Sequence, residues 1–349
     1  MTRVLKVNPR HPEPERIAEA ASLLVQGKLV AFPTETVYGL GGNALDPQAV
    51  GQIFIAKGRP HQDPLIVHIA HLDMLPGIVR EVSPLALRLA EQFWPGPLTL
   101  ILPRHPQIPA ALSAGLDTLA VRMPNHPIAH ALIERAGVPI AAPSANRFGR
   151  TSPTTAAHVL ADLAGRIELV LDGGSPSVGI ESTVLDVTQA PPEILRPGGI
   201  SYEALRGVLG EVAIRGERTP ADENQPMPSP GLLARHYAPR ATLILFEIAS
   251  PSQACQQMVE KTALLLAEGK RVGILTTDED VPFFQNLSID IAHIGSNTDL
   301  AQIAHRLYAG IRSLDGAGVD FILARSFGEQ ELGLAIQDRL RRAASQIVK

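Results

Sequence analysis

Two cations, Lys57 and Arg59, flank a glycine in Lys57-Gly58-Arg59-Pro60, and an apolar run with one histidine, Pro64-Leu65-Ile66-Val67-His68-Ile69, follows at once. Lysine is a mobile point charge and arginine a planar fork, so the pair can grip an anion from two sides while the glycine lets it approach the backbone. The spacing is not that of a P-loop. Read alone, these residues favour a helix ending in lysine, glycine and proline over an anion grip, a stop that would set both cations at the rim of a cleft. The rest of the chain shifts the balance. Arg122 breaks an apolar strand at 118–124 and needs an anionic partner, either a ligand or a structural ion pair. Ser144, Asn146, Arg147, Arg150 and Ser152 crowd one loop, Ser182 opens a strand and Arg196 closes another. Carboxylates are sparse there: Glu35, Asp63, Asp172 and Glu181. Such a set suits a polyanionic small molecule held by charge-assisted hydrogen bonds. It also suits nucleotidyl transfer, where positioning and charge neutralisation do most of the catalysis. His68, on an apolar strand, reads first as a core residue.

Periodicity indicates what must hold these groups. Residues 13–27 form an amphipathic helix stopped by Gly27. A short buried strand at 29–32 opens into 33–42, a hydroxyl- and glycine-rich loop where glycines permit positive φ and close backbone approach. Asp46 caps a helix that starts at Pro47 and runs to Lys57. Strands follow at 64–69, 98–102, 118–124, 139–143, 169–172, 179–187 and 193–196. Helices fall at 84–93, at 154–163 (capped by Thr154 or Ser152) and at 202–209. Short strands ending in polar or cationic residues predict one α/β domain whose strand ends and loops converge on a cleft. Residues 216–231 are polar and proline-rich and read as a linker, although Arg235, His236 and Tyr237 just beyond are odd for a passive tether. From 242, strands at 242–246, 271–276, 289–294 and 319–324 alternate with helices at 251–268, 298–314 and 333–346. That pattern predicts a small parallel doubly wound sheet, without a dinucleotide fingerprint. The expected division is a catalytic domain at 1–212, a linker or lid at 213–240 and a C-terminal domain at 241–349.

Composition excludes several classes. The 349 residues are 45% hydrophobic and 19% charged, enough for full cores. Aromatics are only 4%, which argues against a stacking platform for single-stranded nucleic acid. A net charge of −4 leaves any nucleic-acid contact to a local patch. A single cysteine, Cys255, excludes an internal disulfide and a Cys-based zinc site. There is no G-x-S-x-G or H-E-x-x-H motif. Without a signal-like N-terminus or a membrane-length apolar run, the expectation is a soluble cytoplasmic protein.

Seven segments in order resemble the motifs of the YrdC-like domain. They are Pro33-Thr34-Glu35-Thr36-Val37-Tyr38-Gly39-Leu40, Lys57-Gly58-Arg59-Pro60, Pro64-Leu65, Trp94-Pro95-Gly96-Pro97-Leu98-Thr99, Pro143-Ser144-Ala145-Asn146, Ser182-Thr183-Val184 and Arg196-Pro197-Gly198. Ser229-Pro230-Gly231, His236-Tyr237-Ala238-Pro239 and the C-terminal α/β region are similar to the long, two-domain form of the L-threonylcarbamoyladenylate synthase family. The resemblance spans essentially the whole chain. It implies a YrdC-like α/β domain with a twisted mixed sheet and a central cleft, joined by a Pro-rich linker to a small Rossmann-like parallel α/β domain. It implies condensation of L-threonine, bicarbonate or CO2 and ATP into L-threonylcarbamoyladenylate and diphosphate. Partner proteins of a threonylcarbamoyl-transfer complex would then modify adenosine 37 of ANN-decoding tRNAs. Mg2+ would travel with ATP, with no metal site of the protein's own. The implied threonine site is Thr36, His68, Arg122, Ala142 and Ser182, with Arg122 on the substrate carboxylate. The implied ATP site is Lys57, Arg59, Asp63, Thr118, Ser144, Asn146, Ser152 and Arg196, with Tyr237 folding over the nucleotide. Lys57 and Arg59 are its catalytic pair, and Arg147 and Arg150 are added as phosphate contacts on physical grounds. Two rivals stand beside this reading. One is a carbamoyl-transfer enzyme, disfavoured by the single cysteine where hydrogenase-maturation relatives carry Cys-rich zinc modules. The other is a non-catalytic RNA-binding module, disfavoured by the scarce aromatics; direct contact with tRNA is left open.

Overall fold

The computed structural model describes residues 1–216, 225–233 and 235–349. They fall into two units, the described residues of Met1–Phe148 and Ser152–Ala234 in one, and Gly149–Thr151 with Arg235–Lys349 in the other. This division differs from the expected edges at 212 and 241. Of the expected linker or lid, residues 217–224 and Ala234 lie outside the described residues.

The first unit is built on one sheet of eleven strands. Across it run Arg3–Lys6, Leu169–Asp172, Val30–Pro33, Tyr38–Asn43, Ile140–Ala141, Ile66–His68, Thr118–Arg122, Leu98–Pro103, Thr183–Asp186, Glu193–Arg196 and Ala213–Ile214. Pairing is mixed: Ile66–His68 runs parallel to Thr118–Arg122 and antiparallel to Ile140–Ala141, which sets His68 opposite Arg122. Aliphatic strands need cover on both faces. Ile17, Ala20 and Leu24 of the helix Pro14–Val25 pack with Ile128, Leu132 and Ile133 of the helix Pro127–Ala136 in one core. Val50, Ile53 and Phe54 of the helix Pro47–Lys57 join Leu89 and Val159 in another.

The segment 33–42 is not wholly the expected loop. Only its first residues turn, and Tyr38–Asn43 is a strand paired antiparallel with Val30–Pro33. None of Gly39, Gly41 and Gly42 has positive φ. They are needed for proximity instead: a Cβ on Gly41 would lie 2.7 Å from Phe32 Cε1 and one on Gly42 3.1 Å from Ile53 Cδ1. Tyr38 is buried, and its hydroxyl donates to the Gly174 carbonyl at 2.8 Å, fixing the turn after Leu169–Asp172. The helix expected at 154–163 starts at Ala156, because Thr155 is the cap, its hydroxyl accepting from His158 N at 3.2 Å.

The second unit is a five-stranded parallel sheet in the order Asp290–His293, Val272–Thr276, Phe321–Arg325, Thr242–Phe246, Gln346–Val348. The helices Pro251–Ala267, Leu300–Ala317 and Gly333–Ala343 make its crossovers. The last helix stops short of 346, since Ala344 turns extended and Gln346–Val348 adds an edge strand. No helix among the described residues is long and apolar enough to cross a membrane.

Candidate active site

The helix stop is real and it buries its cations rather than displaying them. Asp46 caps the helix Pro47–Lys57 by accepting from Gln48 N, and Gly58 ends it at φ +65°, a conformation that favours glycine. That turn sends Lys57 under the 144–146 loop, where Nζ donates to the carbonyls of Ser144 (2.5 Å) and Asn146 (2.6 Å). Lys57 is 1% exposed, so the expected place at the rim is corrected: a buried ammonium needs acceptors, and these two carbonyls supply them. Burial first, then Arg59, pushes the Lys57 amine well below its ordinary value. Arg59 Nε donates to the Asp63 carbonyl at 2.9 Å and Nη2 to the Pro64 carbonyl at 2.7 Å. The Asp63 carboxylate lies 2.8 Å from Nη2, with both side chains almost wholly buried. Burial raises the Asp63 carboxyl, and Arg59, Lys57, the Gly231 amide and Arg196 oppose that rise. Asp63 is thus the shared counter-charge of this corner. Thr118, half-buried, is two residues before Ala120, which pairs with Ile66, so it lies level with Pro64 beside the same corner.

At the other end of those strands is a pocket of a different kind. Arg122 Nε donates to the Gly96 carbonyl (3.1 Å) and Nη1 to the Thr36 hydroxyl (3.0 Å), which also bonds Thr34 at 2.8 Å. The Glu35 carboxylate lies 2.6 Å from Nη2 as a buried ion pair, yet neither Nη2 nor either Glu35 oxygen has hydrogen-bond geometry. The distance shows that the charges are paired, and the angles show that the fork is still unmet. Across the strand pair, the buried His68 Nδ1 also lacks a hydrogen-bond partner. Burial, and then Arg122, lowers His68 to about 3 against opposing carbonyls of Ile66 and Ile140, so the ring is neutral near pH 7. Ala142 is buried beside this strand pair, its N–H donating to the Ile66 carbonyl at 2.9 Å.

Ser182 and Arg196, expected in different subsites, are neighbours. Arg196 Nη2 donates to the Ser182 carbonyl at 2.9 Å and to its hydroxyl at 3.2 Å, and Ser182 Oγ also bonds Thr99 at 2.8 Å. Gly198 makes the approach possible, since a Cβ there would lie 2.3 Å from the Ser182 carbonyl carbon. Ser152 donates to Glu181 at 2.5 Å, and Asn146 is buried beside Lys57's acceptors. Part of the supposed tether is built in: Met227 N donates to the Gln62 carbonyl at 2.9 Å and Arg196 Nη1 to the Pro230 carbonyl at 3.2 Å. Arg147 lies next to Gly58 in the first unit. Arg150 and Tyr237 belong to the second unit. There Tyr237 stacks on Tyr308 (5.8 Å between centroids), with the Arg339 guanidinium 5.1 Å from its ring, and Thr151 donates to its carbonyl at 3.0 Å.

The four carboxylates named from the sequence are engaged, Asp63 to Arg59, Glu35 to Arg122, Glu181 to Ser152 and Asp172 to the Gly174 amide at 3.2 Å. That donor set fits Mg2+ held by substrate phosphates better than by the protein. Sequence reading passed over Glu35 as a site residue, although the demand that a buried Arg122 find an anion pointed to it. It also missed the Pro230 carbonyl, for which no side-chain signal exists.

These features define a two-unit α/β protein whose larger unit gathers the buried cationic side chains Lys57, Arg59, Arg122 and Arg196. A family model described as telomere recombination matches residues 22–198, and one described as threonylcarbamoyl-AMP synthase, C-terminal domain, matches residues 200–345. The threonylcarbamoyl-AMP synthase of Pyrococcus abyssi is 44% identical over all of both chains. That of Bacillus subtilis is 45% identical over 94% of this chain and 93% of its own. A crystal structure of P. abyssi Sua5 complexed with L-threonine superposes with a TM-score of 0.93 at 44% identity, covering 100% of this chain and 99% of that one. The chain belongs to the threonylcarbamoyl-AMP synthase family, enzymes of nucleotidyltransferase type.

Proposed function

We propose that this chain condenses L-threonine, bicarbonate and ATP into L-threonylcarbamoyladenylate and diphosphate. The observation that carries the reading is the unmet pair on adjacent strands, Arg122 Nη2 and His68 Nδ1, both buried and without hydrogen bonds. A buried unmet donor beside an unmet acceptor is what an amino acid can satisfy, its carboxylate on the guanidinium and a hydroxyl or amine proton on the imidazole. Thr36, Ala142 and Ser182 complete that subsite. The threonine amine adds to bicarbonate and water leaves, giving a carbamate. A carbamate oxygen attacks the α-phosphorus of ATP, and the bond to the departing diphosphate breaks. The carbamate and ATP are both anionic, so Lys57, Arg59 and Arg196 reduce their repulsion, while Thr118, Ser144, Asn146 and Ser152 orient the nucleotide. Asp63 acts on Arg59 by holding it. Mg2+ comes with the phosphates of ATP.

Residues 213–240 serve as a lid on this cleft; the buried Met227, Ser229, Gly231 and Leu232 support that. The product passes to partner proteins that place the threonylcarbamoyl group on adenosine 37 of ANN-decoding tRNA in the cytoplasm. Diphosphate release tests the reading: it should require ATP, bicarbonate and threonine together. Release with carbamoyl phosphate in place of threonine and bicarbonate would overturn it.

A further inference from the structure

The second unit has a cavity of about 680 Å³, within the roughly 300–1,000 Å³ usual for small-molecule sites. Its walls come from residues just after the strands Thr242–Phe246 and Phe321–Arg325, and from the helix Gly333–Ala343. These adjacent strands send their crossovers in opposite directions, one to Val272–Thr276 and the other to Gln346–Val348. That is a topological switch point, and open parallel sheets bind ligands in the crevice outside the carboxyl ends of such strands.

The chemistry of the wall narrows the ligand. Gln337 is 3% exposed, and its Nε2 donates to Glu247 Oε1 at 2.6 Å. Its Oε1 has no hydrogen-bond partner. Glu247 and the Gln337 oxygen therefore offer acceptors to an N–H donor, and Arg341, 2.6 Å from Glu247, offers a donor alongside. Phe327 gives an aromatic surface, held by the Arg325 guanidinium 4.8 Å from its centroid, and Ile248 extends the apolar side. Arg325 is neutralised by Asp280 at 2.6 Å. Glu247 and Glu329 against Arg341 leave the wall one net negative charge, unsuited to phosphate.

We infer that this crevice binds an uncharged, amine-bearing nucleoside or nucleobase, with its exocyclic amine on Gln337 and Glu247 and its ring against Phe327. The probe is adenosine, titrated into the full chain by calorimetry. Gln337→Met removes the acceptor at similar volume, and Phe327→Ala removes the ring at a half-exposed position. Each should weaken adenosine by about tenfold or more, as should replacing adenosine by purine riboside, which lacks the amine. AMP should bind this crevice more weakly than adenosine, and threonine-dependent diphosphate release should stay unchanged in both variants. Should Gln337→Met not fold, Phe327→Ala and purine riboside decide alone. No adenosine binding up to millimolar concentration, equal affinity in the variants, or AMP binding lost in the variants and as tight as adenosine would each overturn the assignment.

Discussion

The Lys57–Arg59 corner and the His68–Arg122 pocket lie at opposite ends of the same strand pair, both buried and both cationic, yet they follow opposite rules. In the corner, each cation has hydrogen-bond acceptors, two carbonyls for Lys57 and two for Arg59, while the Asp63 carboxylate is held by its ion pair alone, both oxygens lacking hydrogen bonds. In the pocket, a guanidinium nitrogen and an imidazole nitrogen remain unmet. A satisfied buried cation organises the chain and lends its field; an unmet one is available to a ligand. The two can be separated by what breaks when each is altered.

Arg59→Ala should do most. It removes field from the cleft and strands Asp63, so diphosphate release should drop about a thousandfold or more while the first unit loses on the order of 3 kcal/mol in urea unfolding. Full stability with only activity lost would place Arg59 under the pocket's rule. His68 comes next. Its folded value near 3 lies below its ordinary 6.5, so the unfolded chain takes up the proton first as pH falls. Stability present above about pH 6.5 is lost toward pH 3, several kcal/mol at about 1.4 kcal/mol per unit. His68→Asn should flatten that limb of the stability–pH curve, and an unaltered slope would remove His68 as its source. Arg122→Lys keeps the charge but loses the fork, so KM for threonine should rise about fiftyfold with ATP affinity unchanged, near 2 kcal/mol. A matching loss for ATP would merge the two regions. Smallest is Thr36→Val, which takes one acceptor from Arg122 and should raise KM for threonine about fivefold, near 1 kcal/mol.

The second unit could be read from sequence nearly element by element, because strands and helices there alternate in uninterrupted apolar periods. In the first unit, residue types revealed the cleft but not its wiring. Gly39, Gly41 and Gly42 looked like loop glycines, because no local signal distinguishes a glycine required by positive φ from one required by a neighbour such as Phe32. Arg122 was correctly read as needing an anion, but two candidates fitted, and the fold brings Glu35 to it. Lys57 looked like a phosphate hand; its first partners proved to be backbone carbonyls, which sequence does not reveal.

Gly149–Thr151, three residues after the Ser144–Asn146 loop, group with a stretch more than eighty positions away, where Thr151 bonds Tyr237 and Ala238 N donates to the Gly149 carbonyl. A boundary drawn near residue 215 therefore does not coincide with the edge of the second unit. A recombination event joining a new C-terminal half near residue 215 would carry over a short passage written for the old one. The two links reach the Tyr237 carbonyl and the Ala238 amide, backbone groups that a new C-terminal half also supplies wherever position 238 is not proline.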